Sequence, residues 1–273
     1  MCDQLASLAA GARSGVRYDA RHREKLDRED MTEAVIRMRD VRKRYGRTEA
    51  LRGVDFDVAR GEFVGLAGVN GAGKTTLIKC LLDFVSLDAG TIEIFGVAHR
   101  EPRSRARLAF LPERFSPPYY LTGADFLRYL LRLSGEPYRD EAVREMLAAL
   151  DLDPAALARA VRTYSKGMTQ KLGLAGSFLS QRDLYLLDEP MSGLDPRARA
   201  LVKRQIAALR SRGATLVFTS HALADVEEVC DRMIVLHQGV RYFSGTPRSL
   251  CDHYGERSIE QAFLKCIEGP AHG

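Results

Sequence analysis

The chain has 273 residues, of which 45% are hydrophobic and 28% charged, and this is the composition of a folded globular protein. No run reaches the roughly 20 consecutive apolar residues that a membrane-spanning helix requires, so work at a membrane would need a second chain. The net charge of +5 is mild, and the densest basic run, residues 99–107, lacks stacking aromatics, so we expect no nucleic-acid partner. Five cysteines without a CxxC pair predict reduced thiols rather than a metal site.

The first 30 residues differ in character from the rest of the chain. They mix acidic and basic residues and show no sustained apolar period, which predicts a flexible leader. A natural start at Met31 is the alternative, since the first strand-like run, Ala34 to Met38, follows it closely. We therefore expect the folded part of the chain to begin at about residue 31.

Beyond residue 31, short apolar strands alternate with helical patterns. This alternation predicts an α/β fold in which helices cover a mostly parallel sheet. Pro196 marks the first turn of one of the helices. The predicted strands are Glu62–Ala67, Thr91–Phe95, Leu108–Leu111, Leu184–Leu187, Leu216–Thr219 and Met233–Leu236, and the helices between them are about Lys74–Leu82 and Ala198–Leu209.

A helical block of about residues 115–181 separates the two halves of the predicted sheet and is expected to be an inserted α-helical subdomain. Two sets of apolar residues in it recur at helical spacing, and each set is expected to bury one helix face. These sets are Val143, Met146, Leu147 and Leu150, and Phe126, Leu130 and Leu133. Residues 246–273 are expected to form a short helical tail, which includes Ile259 to Ile267.

The segment from Gly68 to Thr75 fits the pattern GxxxxGK[ST] and lies between a predicted strand and a predicted helix. Glycines allow the backbone to curl around phosphate oxygens, and the following helix directs the positive end of its dipole at the same anion. Lys74 is expected to reach the β- and γ-phosphates, and the Thr75 hydroxyl to bind magnesium. The residues predicted to contact the nucleotide here are Gly68, Asn70, Gly71, Ala72, Gly73, Lys74, Thr75 and Thr76.

Two adjacent carboxylates, Asp188 and Glu189, end the apolar strand that begins at Leu184. At the carboxyl end of a strand in an α/β sheet, such groups face the ligand crevice. Asp188 is suited to the magnesium shell, and Glu189 to the polarisation of an attacking water. A role in capping the next helix is the alternative, but the phosphate-binding pattern favours hydrolysis.

In their order along the chain, these motifs resemble the ATP-binding cassette (ABC) family over about residues 34–245. Tyr45 looks like the aromatic residue that stacks on adenine. The run Tyr164–Met168 looks like the family signature LSGGQ, and Ser192–Asp195 looks like its dimer-contact loop. His221 looks like the histidine that senses the γ-phosphate.

This resemblance implies a P-loop NTPase core, residues 31–245, with an N-terminal antiparallel β subdomain and the inserted α-helical subdomain. It implies ATP and Mg²⁺ as cofactors, with Glu189, His221 and Lys74 as the catalytic residues. Ser165 and Gly167 would bind ATP held by a second copy, which implies an ATP-dependent homodimer or a pair with a similar ATPase.

Two departures from the family pattern have consequences. Glu113 stands where the family commonly has glutamine, and it is a candidate magnesium ligand whose charge alters the site. Lys166 and Met168 replace a glycine and a glutamine of the usual signature. Similar variants occur in ATPase subunits of exporters whose membrane domain is a separate chain, which favours export over import.

Residues 114–121 are rich in prolines and aromatics. They read equally well as an exposed docking surface or as a segment in which Phe115 and Tyr119 pack onto the helical subdomain. In the family, this region receives a helix of the membrane partner.

The sequence thus predicts an ATP-hydrolysing subunit that powers a separately encoded integral-membrane transporter, in the cytoplasm on the inner face of the cell membrane. The alternatives are an ABC-type ATPase that acts on ribosomes or DNA, and a nucleotide-gated scaffold without turnover. A single cassette and the absence of a long heptad repeat argue against the first alternative. Glu189 argues against the second.

Overall fold

The computed structural model describes residues 34–269, and the predicted leader, residues 1–30, lies outside this range. The described residues fall into two compact units. One contains residues 34–106 and 221–269, and the other contains residues 107–220.

Strands and helices alternate along most of the described chain. The strands are β1 Ala34–Tyr45, β2 Thr48–Ala59, β3 Phe63–Ala67, β4 Ala89–Ile94, β5 Val97–Ala98, β6 Leu108–Leu111, β7 Leu184–Leu187, β8 Thr215–Thr219, β9 Arg232–His237 and β10 Val240–Gly245. The α-helices are α1 Lys74–Leu81, α2 Gly123–Ser134, α3 Asp140–Ala149, α4 Lys166–Leu179, α5 Pro196–Ser211, α6 Leu223–Val229, α7 Pro247–Tyr254 and α8 Ile259–Glu268.

The first unit combines an antiparallel sheet with a second set of strands. The antiparallel sheet has the order β2-β1-β4-β5. In the second set, β3 pairs in parallel with β9, and β9 pairs in antiparallel with β10. All five residues of β3 are buried, as expected of a strand that is covered on both faces. Helices α6, α7 and α8 pack against one another and against β3 and β10.

Arg232, at the start of β9, links several segments of the first unit. Its guanidinium donates to both carboxylate oxygens of Glu62, at 2.6 and 2.9 Å. It also donates to the Ser244 hydroxyl at 2.9 Å and to the backbone carbonyl of Asp57 at 2.6 Å. The planar guanidinium can satisfy four acceptors at once, so this half-buried residue holds β2, β9 and β10 in register.

The second unit is built around α4. Strands β6, β7 and β8 pair in parallel, and α4 packs on β6 and on helices α2 and α3. A side chain at Gly176 would lie 2.4 Å from Leu130 of α2, and one at Gly173 would lie 2.7 Å from Leu111 of β6. These two glycines therefore let α4 approach its neighbours closely. Burial around most of its circumference explains its apolar sequence.

The structure corrects one of the two predicted helix faces. Val143, Leu147 and Leu150 are buried as expected, but Leu133 is 66% exposed in the last turn of α2. Phe126 of the same predicted set is buried as expected, and the helix also buries Leu127 and Leu131. The spacing of apolar residues alone could not show which face of α2 is buried, because the helix carries apolar residues on more than one face.

The predicted strand at Ala34 to Met38 is also too short, because β1 continues to Tyr45. The second half of β1 is rich in charged residues, so an apolar run does not predict a strand there. Within residues 34–269, no helix is both long and apolar enough to cross a membrane.

We expect Arg232→Ala to lower the free energy of unfolding by about 3 kcal/mol, because it leaves the half-buried Glu62 carboxylate without its guanidinium. Arg37→Ala is the matched control, since it removes an ion pair with Glu93 whose two side chains are 49% and 40% exposed. That change should cost less than about 1 kcal/mol. Chemical denaturation measures both, and equal losses would contradict the linking role of Arg232.

Candidate functional site

The loop between β3 and α1 forms an open cradle. Gly71 and Gly73 have φ angles of 80° and 108°, which glycine adopts without strain and which curl the backbone. Among the described residues, no side chain caps the N-terminus of α1, and its first turn contains no acidic residue. Because Asn70, Gly71 and Thr75 are exposed, the start of this helix is open to an anion.

Lys74 closes this cradle from within. Its ammonium donates to the carbonyl of Gly68 at 2.6 Å and to that of Val69 at 3.3 Å. The residue is only 8% exposed, so its charge is held at the loop rather than in solvent. The arrangement places a positive charge beside the curled glycine loop, which is what a polyphosphate requires.

The cradle packs against another segment of the first unit. A side chain at Gly68 would lie 2.4 Å from the carbonyl oxygen of Leu236 and 2.9 Å from the Ala72 side chain. The N–H of Gly239 donates to the carbonyl of Ala72 at 2.9 Å. The turn between β9 and β10 thus supports the loop from behind and fixes its curvature.

In the second unit, β7 ends in the predicted acidic pair, and both residues are buried. Asp188 and Glu189 are 6% and 7% exposed. The hydroxyl of Thr219, at the end of β8, donates to Oδ1 of Asp188 at 2.7 Å and accepts from the N–H of Glu189 at 2.9 Å. One buried hydroxyl therefore fixes the position of both acidic residues.

The backbone turns sharply at Glu189. Its φ angle of 50° lies in the left-handed region, which costs a residue other than glycine of the order of 1 kcal/mol. The carbonyl of Glu189 accepts from the N–H of Ser192 at 3.0 Å and closes a turn. This turn explains how two neighbouring carboxylates leave the strand together, although the side chains of a regular strand alternate.

The signature-like turn lies beside this acidic turn in the same unit. Ser165 caps α4, since its hydroxyl accepts from the N–H of Met168 at 3.2 Å, and its side chain is exposed. The amide of Gln170 donates to the carbonyl of Pro190 at 3.0 Å. A side chain at Gly167 would lie 3.7 Å from the carbonyl oxygen of Gly193, so the signature-like turn contacts the predicted dimer loop.

The remaining predicted residues occupy separate places. Tyr45 ends β1 and is 45% exposed, and His221 is exposed one residue before the N-cap of α6. Glu113 is exposed after β6. Asp195 caps α5, since its carboxylate accepts from the N–H of Ala198 at 2.9 Å, and this bond lowers the pKa of Asp195.

Residues 114–121 combine the two alternatives left open by the sequence. Phe115 packs edge-on against Phe126, with ring centroids 5.5 Å apart, and its ring occupies the space that a side chain at Gly173 would need. Tyr119 and Tyr120 are each 70% exposed and pack edge-on against each other. Beside them lies a cavity of about 540 Å³, whose lining includes Glu113, Arg114, Phe115, Tyr119, Tyr164 and Lys166.

Sequence reasoning missed Thr219 and Gln170. Thr219 is a polar residue at the end of an apolar strand, next to Ser220 and His221, and that position was the available signal. Gln170 is buried on a mostly apolar helix, and a buried amide requires a partner. That partner, the carbonyl of Pro190, is 20 residues away and could not be identified from spacing.

A buried strand, a curled glycine loop closed by Lys74 and an uncapped helix N-terminus define a P-loop nucleoside-triphosphate-binding protein. The sequence model of the ABC transporter family matches residues 51–192, more than half of the chain. The chain therefore belongs to the ABC transporter family, as an ATP-binding subunit, and it is an ATPase.

Relatives and a solved structure agree with this assignment. An uncharacterized ABC transporter ATP-binding protein of Synechocystis sp. is 37% identical over 231 residues, which are 83% of this chain and 64% of that relative. The Nod factor export ATP-binding protein I of Burkholderia orbicola is 36% identical over 228 residues, covering 81% of this chain and 74% of its own length. A solved ATP-binding subunit of an ABC transporter is 29% identical, with a TM-score of 0.79, and covers 85% of this chain and 99% of its own.

We expect Gly68→Ala to reduce the affinity for ATP and magnesium by about tenfold or more, because overpacking against the Leu236 carbonyl moves the loop. Gly61→Ala is the control. Gly61 has a φ angle of 76° and no heavy atom within 4 Å of an added side chain, so this change strains the backbone without crowding the loop. Calorimetry measures both affinities, and an unchanged affinity in Gly68→Ala would show that the loop tolerates displacement.

We expect Thr219→Val to lower kcat for ATP hydrolysis by about tenfold and stability by about 1–3 kcal/mol, because two buried polar groups lose their partner. Thr219→Ser retains the hydroxyl and should restore most of the activity. Steady-state ATPase assays and thermal unfolding measure the two effects. Equal kcat values for the valine and serine variants would contradict the role of the hydroxyl.

Proposed function

We propose that this chain binds ATP with magnesium, hydrolyses it between two facing copies, and thereby drives export through a separately encoded integral-membrane subunit. The observation that carries the proposal is the cradle of the first unit, where Lys74 and the uncapped turn of α1 converge. The name of the Nod factor export relative supports export as the direction.

The residues present fit ATP and Mg²⁺ chemically. The cradle offers backbone N–H groups and an ammonium to phosphates, and only glycine leaves the necessary room at position 68. Thr75 and Asp188 offer oxygen ligands of the kind that magnesium prefers, and Glu113 is a further candidate of the same type. The ion, when bound, neutralises phosphate charge during phosphoryl transfer.

The proposed hydrolytic roles follow from the chemistry of each side chain. Lys74 holds the β- and γ-phosphates. Glu189 orients the attacking water and accepts its proton, and His221 contacts the γ-phosphate. The strained backbone at Glu189 supports this role, because its turn and the hydrogen bond from its N–H to Thr219 hold the backbone from which the carboxylate extends.

The proposed dimer would complete each site with the signature-like turn of the other copy. Ser165 uses its lone pair to cap α4, and its hydroxyl hydrogen remains available to a phosphate oxygen. Gly167 and the start of α4 add backbone N–H groups and the positive end of a helix dipole. Tyr45 would stack on the adenine.

We place the membrane partner on the cavity beside Tyr119 and Tyr120. Its apolar and aromatic rim is exposed, and Arg114 and Lys166 add positive charge to its lining. A partner that docks there would hold the chain on the inner face of the cell membrane. We further propose that the chain consists of an ATPase domain at residues 31–245, which contains a helical insertion at about 115–181, and a tail from residue 246.

The test is Glu189→Gln, which keeps the shape of the side chain and removes its basicity. We expect the ATPase rate to fall by about 100-fold or more. We also expect a lasting ATP-bound dimer, because the ligand that holds the two copies together is no longer consumed. Malachite-green phosphate assays and gel filtration with ATP and magnesium measure the two results.

Glu145→Gln is the matched control, since Glu145 is exposed on α3 of the same unit. It should leave both the rate and the oligomeric state unchanged. Equal ATPase rates in Glu189→Gln and the unmodified chain would exclude the hydrolytic role. An inactive variant that binds ATP as a monomer would instead count against the dimer.

A further inference from the structure

Asp88, immediately before β4, makes three contacts with the last residues of β1. Its Oδ1 accepts from the ammonium of Lys43 at 3.1 Å, and its Oδ2 accepts from the backbone N–H of Arg44 at 2.6 Å. Its own N–H donates to the carbonyl of Arg42 at 3.0 Å. Asp88 therefore forms hydrogen bonds with three consecutive residues of β1, and the residue that follows these three is Tyr45.

The Lys43 ammonium connects Asp88 to the ring of Tyr45. It lies over the ring of Tyr45, 5.5 Å from the centroid, at a distance where a cation attracts the aromatic face. Lys43 is 8% exposed, and a buried ammonium requires a paired carboxylate. The hydrogen bond from Arg44 and the neighbouring Lys43 also lower the pKa of Asp88, so the carboxylate is charged at neutral pH.

The two faces of the Tyr45 ring therefore have different surroundings. Lys43 covers one face, whereas the residue as a whole remains 45% exposed. A cation on one face favours one tilt of the ring, so the other face is presented mainly in one orientation. A flat aromatic ligand stacks best on a ring whose orientation is already set, because less side-chain freedom is lost on binding.

We propose that Asp88 is a positioning residue for the nucleotide base: through Lys43 and the backbone of Arg44, it holds the open face of Tyr45 in the orientation that stacks on adenine. The inference rests on the proposed function, in which Tyr45 stacks on that base. It adds that a carboxylate at the start of β4 controls how well the base is bound.

The alternative explanation is that Asp88 affects nucleotide binding through the phosphate-binding loop rather than through Tyr45. Cys80 of α1 lies close to the same ion pair: burial raises the pKa of this thiol to about 11, while Lys43 lowers it and Asp88 raises it. A change at Asp88 therefore also reaches the helix that follows the cradle. The test must separate recognition of the base from recognition of the phosphates.

The experiment compares Asp88→Asn with the unmodified full-length chain, using ATP and inorganic tripolyphosphate as ligands, each with magnesium. The amide keeps the shape of the side chain but removes the charge that pairs with Lys43. We expect the affinity for ATP to fall by about three- to tenfold, and the affinity for tripolyphosphate to stay the same. We expect KM for ATP to rise without a change in kcat, since base binding is equal in ground and transition states.

Glu93→Gln is the matched control, because Glu93 lies on β4, which follows Asp88, and pairs with Arg37 of β1 at an exposed position. It should change neither affinity. Tyr45→Ala supplies the second arm. It should reduce the affinity for ATP and not for tripolyphosphate, and Asp88→Asn should then have no further effect in the Tyr45→Ala background.

Three results would overturn the proposal. Equal losses for ATP and tripolyphosphate would mean that Asp88 acts through the phosphate loop or the fold. Additive losses in the double variant would mean that Asp88 acts independently of Tyr45. If Tyr45→Ala leaves ATP affinity unchanged, the assigned role of Tyr45 fails and this inference fails with it, whereas ATP binding by the cradle still stands.

Discussion

The contact of the Lys74 ammonium with the carbonyls of Gly68 and Val69 is the interaction on which the rest of the chemistry depends. A glycine-rich loop has little conformational preference of its own, so it keeps a curled shape only if other groups hold it. Here the lysine holds it from inside, and the turn between β9 and β10 holds it from behind. The loop is thus shaped before a phosphate arrives, which lowers the entropy lost on binding.

The second unit solves a different problem, which is to keep negative charge in a buried place. Asp188 and Glu189 are adjacent and nearly inaccessible, and each carboxylate would be costly without partners. The Thr219 hydroxyl holds the Asp188 carboxylate and the backbone N–H of Glu189, and the left-handed turn sets the direction in which the chain leaves the strand. The strain stored at that turn is a common property of functional sites, where orientation has more value than local stability.

Much of the fold could be predicted from the sequence, because its buried strands are short apolar runs bounded by glycines and charged residues. Strands such as Leu184–Leu187 and the start of α1 therefore lie where the pattern indicates. The sequence could not show that β1 continues through charged residues to Tyr45, because ion pairs with neighbouring strands stabilise that half. Likewise, Thr219 and Asp88 act through partners that are distant in sequence, and no spacing rule points to them.

The hydrogen bond from Gln170 to the carbonyl of Pro190 links α4 to the acidic turn of the second unit. It joins the helix that would read the ATP of the neighbouring copy to the turn that carries this copy's own Glu189. In the proposed dimer, loss of the neighbour's γ-phosphate would shift α4 and, through this strut, the local hydrolytic carboxylate. Such a link would let the state of one nucleotide affect the hydrolytic turn of the other site.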